Sequence, residues 1–146
     1  MIALVGPTAS GKTELAAALA ERLGGEVVCA DSRQVYRLLD AATAKPSAAL
    51  RARVPHWLID VADPAEAYDA ARFAAEAAAA IADIRSRGRR PIVCGGTGLY
   101  IRALLEGLSP LPPRDPAVRA RLAAIVEREG PAVLHARLTQ ADPVAA

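Results

Sequence analysis

Gly6-Pro7-Thr8-Ala9-Ser10-Gly11-Lys12-Thr13 carries the spacing Gly-x-x-x-x-Gly-Lys-Ser/Thr, and the rest of the chain takes its place from it. Glycines let consecutive backbone N–H groups curl round a phosphate with no Cβ in the way. The lysine brings a mobile cation to the outer phosphate, and the threonine hydroxyl can hold Mg²⁺. The flanks agree. Residues 2–5, Ile-Ala-Leu-Val, read as a buried strand, and residues 12–23 read as a helix with Leu15, Leu19 and Leu23 on one stripe, stopped by Gly24-Gly25. The N-terminus of that helix points at the cradle and favours an anion there. The loop alone does not say which phosphate compound binds.

At 146 residues the chain is one domain, or one domain and part of another. Apolar residues make up 53% but aromatics only 3%, so the core must be closely packed from small side chains, alanine above all. A net charge of +2 neither argues for nucleic acid nor excludes it. The basic residues are nearly all arginine. Lys12 and Lys45 are the two lysines, and since one stands in the phosphate loop, the other attracts notice. Cys29 and Cys94 each end an apolar run, where a buried free thiol is expected, and no zinc spacing exists. No run is long enough to span a membrane and no signal peptide is present, so a soluble, reducing, cytoplasmic setting is expected.

Short apolar runs at 2–5, 26–30, 57–61 and 91–94 alternate with helical stretches. The clearest of these is 68–87, with a stripe of Phe73, Ala77, Ile81 and Ile84. Strands alternating with helices predict an α/β fold with a parallel sheet, whose ligands bind beyond the carboxyl ends of the strands. The segments expected there are Gly6–Thr13, Asp31–Gln34, Asp60–Pro64 and Gly95–Gly98. After Gly107 the prolines 110, 112, 113 and 116 punctuate a linker. A helix capped by Asp115 runs to about Glu129, and a second from Pro131 to about Leu138. Asp142-Pro143 looks like the cap of a further helix.

Asp31 suits a general base, a Mg²⁺ ligand through water, or a helix N-cap. Gln34 carries the donor–acceptor pair that suits an adenine edge. Gly95-Gly96-Thr97-Gly98 could form a nest for the far side of a pyrophosphate, or be a tight strand-to-helix turn. Arg85, Arg87, Arg89 and Arg90 read as a solvated face at the far edge of the sheet. His56 and Trp57 read as packing groups, and His135 carries no assignment.

Taken together, GPTASGKT (6–13), ADSRQVYR (30–37), TAKPS (43–47), VPHWLIDVADPAEAYDAARF (54–73), GRRPIVCGGTGLYIRALLEGL (88–108) and LPPRDPAVRARL (111–122) resemble the tRNA dimethylallyltransferase (tRNA isopentenyltransferase) family. The resemblance implies a P-loop NTPase-like three-layer core over 1–110, followed by the beginning of a helical tRNA-binding insertion at 111–146. It implies transfer of a dimethylallyl group from dimethylallyl diphosphate to N6 of the adenine 3′ to a tRNA anticodon, with Mg²⁺ as cofactor. Residues Gly6–Thr13 would hold the diphosphate, with Thr13 on the metal. Asp31 matches the general base and Thr97 a catalytic contact to tRNA and the leaving group. Asp31, Ser32, Arg33 and Gln34 match the base-recognition segment, and Arg119 a tRNA-contacting arginine. The chain would be a monomer and the N-terminal half of the enzyme, since family members run to about twice this size.

Two departures stand out. Leu38 replaces a glycine common after the arginine, and Ala41-Ala42 replaces Ile-Gly, so a different path is expected for the loop that carries Lys45. Trp57 replaces the second of two usual histidines. Two other readings of the same loop are an adenylate isopentenyltransferase acting on free AMP, ADP or ATP, and a small-molecule kinase using ATP.

Overall fold

The computed structural model describes residues 1–109 and 115–146. The sequence expectations for Pro110, Pro112 and Pro113 lie outside the described residues. The chain divides into two units, Met1–Ser109 and Pro110–Ala146.

In the first unit, β1 (Ile2–Val5), β2 (Gly25–Ala30), β3 (His56–Trp57) and β4 (Arg90–Gly95) form a parallel sheet in the order β1-β4-β2-β3. Ile2 pairs with Ile92, Val27 with Ile92 and His56, and Cys29 with Cys94. Helices α1 (Lys12–Leu23) and α2 (Ala48–Arg53) cover one face, where Ala16, Ala20, Leu50 and Val54 meet Val27, Cys29 and Ile92. Helices α3 (Ala70–Ser86) and α4 (Gly98–Glu106) cover the other, around Phe73, Ile84, Val28 and Val93. This is the expected three-layer α/β arrangement, with the loop segments at the carboxyl ends of the strands.

Alanine sets how closely α1 lies on the sheet. Its buried residues are Ala16, Ala17 and Ala20, whereas Leu15 is 51% and Leu23 40% exposed. Of the leucine stripe only Leu19 packs against this core, and the buried face is made by the alanines, whose small side chains let the backbone approach closely. The α3 stripe is as expected: Phe73, Ala77, Ile81 and Ile84 are buried. Asp69 caps this helix by accepting from the Arg72 N–H at 2.9 Å. Helix α2, capped by Ser47 accepting from the Leu50 N–H at 3.2 Å, was not expected.

The run 57–61 is shorter as a strand than its composition predicts. Leu58 (φ 62°) and Asp60 (φ 57°) adopt left-handed backbone, which ends the extended stretch at Trp57. The chain then turns so that the N–H groups of Val61 and Ala62 donate to the Val35 carbonyl at 2.8 and 2.9 Å.

One charged residue is buried beside β3. Glu26 on β2 is 2% exposed. Its carboxylate accepts from both terminal nitrogens of Arg87 and from Trp57 Nε1 at 2.7 Å, with Arg89 Nε 3.4 Å away. Arg85, Arg87, Arg89 and Arg90 are all exposed, as expected, and Arg87 and Arg89 in addition neutralise a buried carboxylate. The Arg87 hydrogen bonds hold the Glu26 carboxyl below its ordinary value of 4.5, against the opposing effect of burial. A lowered folded pKa stabilises the fold above the unfolded value and loses that contribution as pH falls through the folded value. Glu26→Gln is expected to be less stable at pH 7 and to show a shallower loss of stability on acidification below 4.5. Urea unfolding at pH 7 and pH 4 measures both.

Lys45 explains itself in the structure. Its ammonium donates to the Tyr36 carbonyl (2.8 Å), Asp40 (2.9 Å) and Asp60 (2.6 Å), and its side chain is 6% exposed. Burial alone would lower its pKa, but Asp60 and Asp40 outweigh that and raise it. In the loop it anchors, the backbone is left-handed where the departures from the family pattern occur: φ is 63° at Leu38 and 58° at Ala42. The strain therefore sits on residues with a Cβ. Leu38 is 84% exposed, so glycine there removes no packing. Leu38→Gly is expected to stabilise the chain by about 0.5–1 kcal/mol, the strain relieved exceeding the flexibility added to the unfolded state. A rise in the urea midpoint would register it.

The second unit contains α5 (Pro116–Glu129) and α6 (Pro131–Ala141), packed on each other across Gly130. Asp115 caps α5, accepting from the N–H groups of Ala117 (2.8 Å) and Val118 (3.2 Å). Asp142 forms the C-cap of α6 and accepts from the N–H groups of Val144 and Ala145, each at 3.1 Å, in a turn.

Candidate active site

The phosphate loop leaves β1 and enters α1 through Gly11, whose φ of 79° puts it in the left-handed region. No side chain caps the helix there, so its first N–H groups face outward, ready for an anion. The Lys12 ammonium folds over the loop, donating to the Pro7 carbonyl and to Ser10 Oγ at 3.2 Å, while Ser10 Oγ donates to Pro7 O at 2.9 Å. These contacts hold the loop as a ring with its cation inside.

Two cavities meet beside this ring. One, of about 330 Å³, runs from the loop residues Thr8–Glu14 past Asp31 and Gln34 to an apolar wall of Ala16, Val27, Cys29 and Cys94. Burial pushes both thiols up in pKa, so they stay protonated and uncharged. The other, of about 440 Å³, is lined by Pro7, Ser32, Arg33, Thr43, Gly96 and Thr97. Thr8, Asp31 and Ala44 belong to both. Asp31 is thus the one carboxylate common to the two.

Asp31 takes one of the roles weighed for it, the cap. Its Oδ1 accepts from the N–H groups of Arg33 (2.8 Å) and Gln34 (3.3 Å), the cap geometry, and among the described residues its Oδ2 is left as a further acceptor. Thr97 Oγ1 accepts from the Ser32 N–H at 3.0 Å and lies 3.4 Å from Ser32 Oγ, which ties the turn after β2 to the start of α4. Of the Gly95–Gly98 run, Gly95 reaches the loop cavity while Gly96 and Thr97 line the second one. Gln34 spends its amide nitrogen on the Thr43 (3.2 Å) and Ala44 (3.1 Å) carbonyls, so it braces the Lys45 loop and keeps only Oε1 for a base edge. Arg119 lies exposed on α5, in the second unit. His56, read from the sequence as a packing group, is half-buried and is among the residues that line the loop cavity. Its place on the strand beside Val27 was the available signal.

Residues 34–146 match the family model described as IPP transferase. The chain belongs to that family. It is 62% identical over its whole length to a tRNA dimethylallyltransferase of Anaeromyxobacter dehalogenans (strain 2CP-C) and 60% to one of Sorangium cellulosum (strain So ce56), covering 49% and 46% of them. The chain therefore spans about half the length of the relatives it matches. The solved structure of the full-length tRNA isopentenylpyrophosphate transferase from Bacillus halodurans superposes with a TM-score of 0.73 at 45% identity, over 99% of this chain and 48% of that one. A eukaryotic dimethylallyltransferase acting on tRNA superposes at 0.80 and 34% identity, over 98% of this chain and 36% of that one. No helix among the described residues is long and apolar enough to cross a membrane.

Proposed function

We propose that this member of the IPP transferase family carries the donor site and the general base of a tRNA dimethylallyltransferase. The observation that carries the reading is the position of Asp31 in the common wall of two cavities, one built on the phosphate loop and one on Ser32, Arg33 and Thr97. Dimethylallyl diphosphate occupies the first, with its phosphates on residues 8–13. The adenine 3′ to a tRNA anticodon, flipped out of its stack, enters the second. Its N6 lone pair attacks C1 of the allyl group, the C1–O bond breaks, the N6 proton passes to Asp31, and pyrophosphate departs onto Lys12 and the helix N-terminus. Ser32, Arg33, Gln34 and Thr97 would position the base, and Arg119 would contact the tRNA. The enzyme acts in the cytoplasm as a monomer.

The donor set suits Mg²⁺ of the kind shared with a substrate. Thr13 offers one hydroxyl at the head of α1, and no cluster of three or more His, Cys, Asp or Glu forms among the described residues. A hard cation would take its other oxygens from the phosphates and water. When bound, it would neutralise part of the leaving group's charge.

Labelled dimethylallyl diphosphate and Mg²⁺, offered with an anticodon stem-loop RNA and, in parallel, AMP, test the reading. Label on the RNA supports it. Label on AMP alone would replace tRNA by a free nucleotide, and failure to bind pyrophosphate would remove the donor site altogether.

A further inference from the structure

Of the two lysines, the transfer chemistry uses only Lys12. The Lys45 ammonium spends its three protons inside the chain, on the Tyr36 carbonyl (2.8 Å), Asp40 Oδ1 (2.9 Å) and Asp60 Oδ1 (2.6 Å), and has none left for a substrate. These acceptors stand on three separate stretches: the turn after β2, the loop that follows it, and the turn after β3. One buried cation thus ties all three together.

The stretches it joins are the strained ones. Among the described residues, six that are not glycine have left-handed backbone, and five of them lie here: Leu38, Ala42, Ala44, Leu58 and Asp60. Such conformations persist only where the surroundings over-determine them, and they gather at functional sites. Here they shape a wall. Ala42, Thr43 and Ala44, the three residues before Lys45, line the second cavity. Gln34 grips the same wall, its amide nitrogen donating to the Thr43 and Ala44 carbonyls, while its own backbone carbonyl accepts from the Asp60 N–H at 3.1 Å. Asp31 is held apart from this clamp, by the Arg33 and Gln34 N–H groups, and the phosphate loop by its own contacts among Pro7, Ser10 and Lys12.

We propose that Lys45 is the positioning residue of the acceptor cavity: it holds the 42–44 wall in its strained path, so that the incoming base meets a cavity already formed. The proposal rests on the reading of the second cavity as the acceptor site. Without the ammonium the wall relaxes, and the base must re-order it on entering. That cost is drawn from acceptor binding, not from bond making, and it leaves the phosphate loop untouched.

Steady-state transfer of label from dimethylallyl diphosphate to the stem-loop RNA, with Mg²⁺, tests this on the 146-residue chain and on Lys45→Met, whose unbranched apolar side chain fills similar space without the charge. KM for the RNA is expected to rise about tenfold, as when the competent wall is present a tenth of the time, with kcat and the Kd for inorganic pyrophosphate unchanged. Amide hydrogen exchange should quicken at residues 42–45 and not at 8–13. Asp60→Asn weakens a single tether and keeps a residue that tolerates left-handed backbone. It should raise the same KM by a smaller factor, and it decides the matter if Lys45→Met does not fold. An unchanged KM for the RNA, a loss confined to kcat, unaltered exchange at 42–45, or an equal weakening of pyrophosphate binding overturns the proposal and leaves the proposed function standing. No transfer by the unsubstituted chain overturns the proposed function for this chain, and the proposal with it.

Discussion

Asp31→Asn is expected to slow transfer of the dimethylallyl group to the stem-loop RNA by about 10²–10⁴-fold, the range for a positioned general base. The substitution is chosen to spare the fold. An amide oxygen can still accept from the Arg33 and Gln34 N–H groups, so the turn after β2 keeps its cap. What disappears is the carboxylate that lines both cavities, without which N6 must shed its proton to solvent. Pyrophosphate should bind as well as before or slightly better, because a negative charge has been removed from the wall of an anion site. Single-turnover transfer and a pyrophosphate titration on the same preparation separate the two effects. Equal transfer by both proteins would take the base role from Asp31. Lost pyrophosphate binding would show that the turn, and not the proton transfer, had been damaged.

Gly95→Ala is expected to cost more than about 3 kcal/mol of stability, beyond the usual range for overpacking. A Cβ at this position would lie 2.0 Å from the Ala30 carbonyl oxygen and 2.5 Å from its carbon, both backbone atoms of the adjacent strand. No side chain can rotate away to relieve the clash, so β2 and β4 must part where they are paired as Ala30 with Gly95. The same separation would displace the Thr97 N–H from Ala30 O, now 3.2 Å away, and with it the wall of the second cavity. For a unit of this size the loss corresponds to a melting temperature lower by roughly 12–20 °C. Thermal unfolding followed by circular dichroism checks it, and a melt within a few degrees of the unsubstituted chain would mean that the strands give way cheaply.

The parts of the fold that were legible in the sequence are those where local pattern and tertiary need agree. The Gly6–Thr13 spacing is a backbone requirement written directly as residues, and the Phe73, Ala77, Ile81, Ile84 stripe states which face of α3 is buried. The leucines of α1 misled because the closeness of helix to sheet, a tertiary matter, favours Ala16 and Ala20 over larger neighbours. The strand at 57–61 misled because the left-handed turns at Leu58 and Asp60 serve a distant ammonium, that of Lys45. Glu26 could not be read as buried from a run of valines, because its partners Arg87 and Trp57 stand far along the chain. At the site, Asp31 and the loop were legible as candidates, and one cavity is lined by both. The division into two cavities arises only when the loop after β1, the turn after β2 and the Gly95–Thr97 segment at the end of β4 are brought together.

The strand order has a consequence for how the site comes into being. Among the strands, β1 is paired with β4 alone, Ile2 lying beside Ile92, while its own phosphate loop follows it immediately. On a ribosome, β1 and the loop emerge well before β4 and have no strand of this sheet to rest on until β4 has been made. Contacts so far apart in sequence form slowly. The phosphate loop is therefore made long before its strand can be seated, and a nascent chain halted before Arg90 would have the loop residues but no anion site.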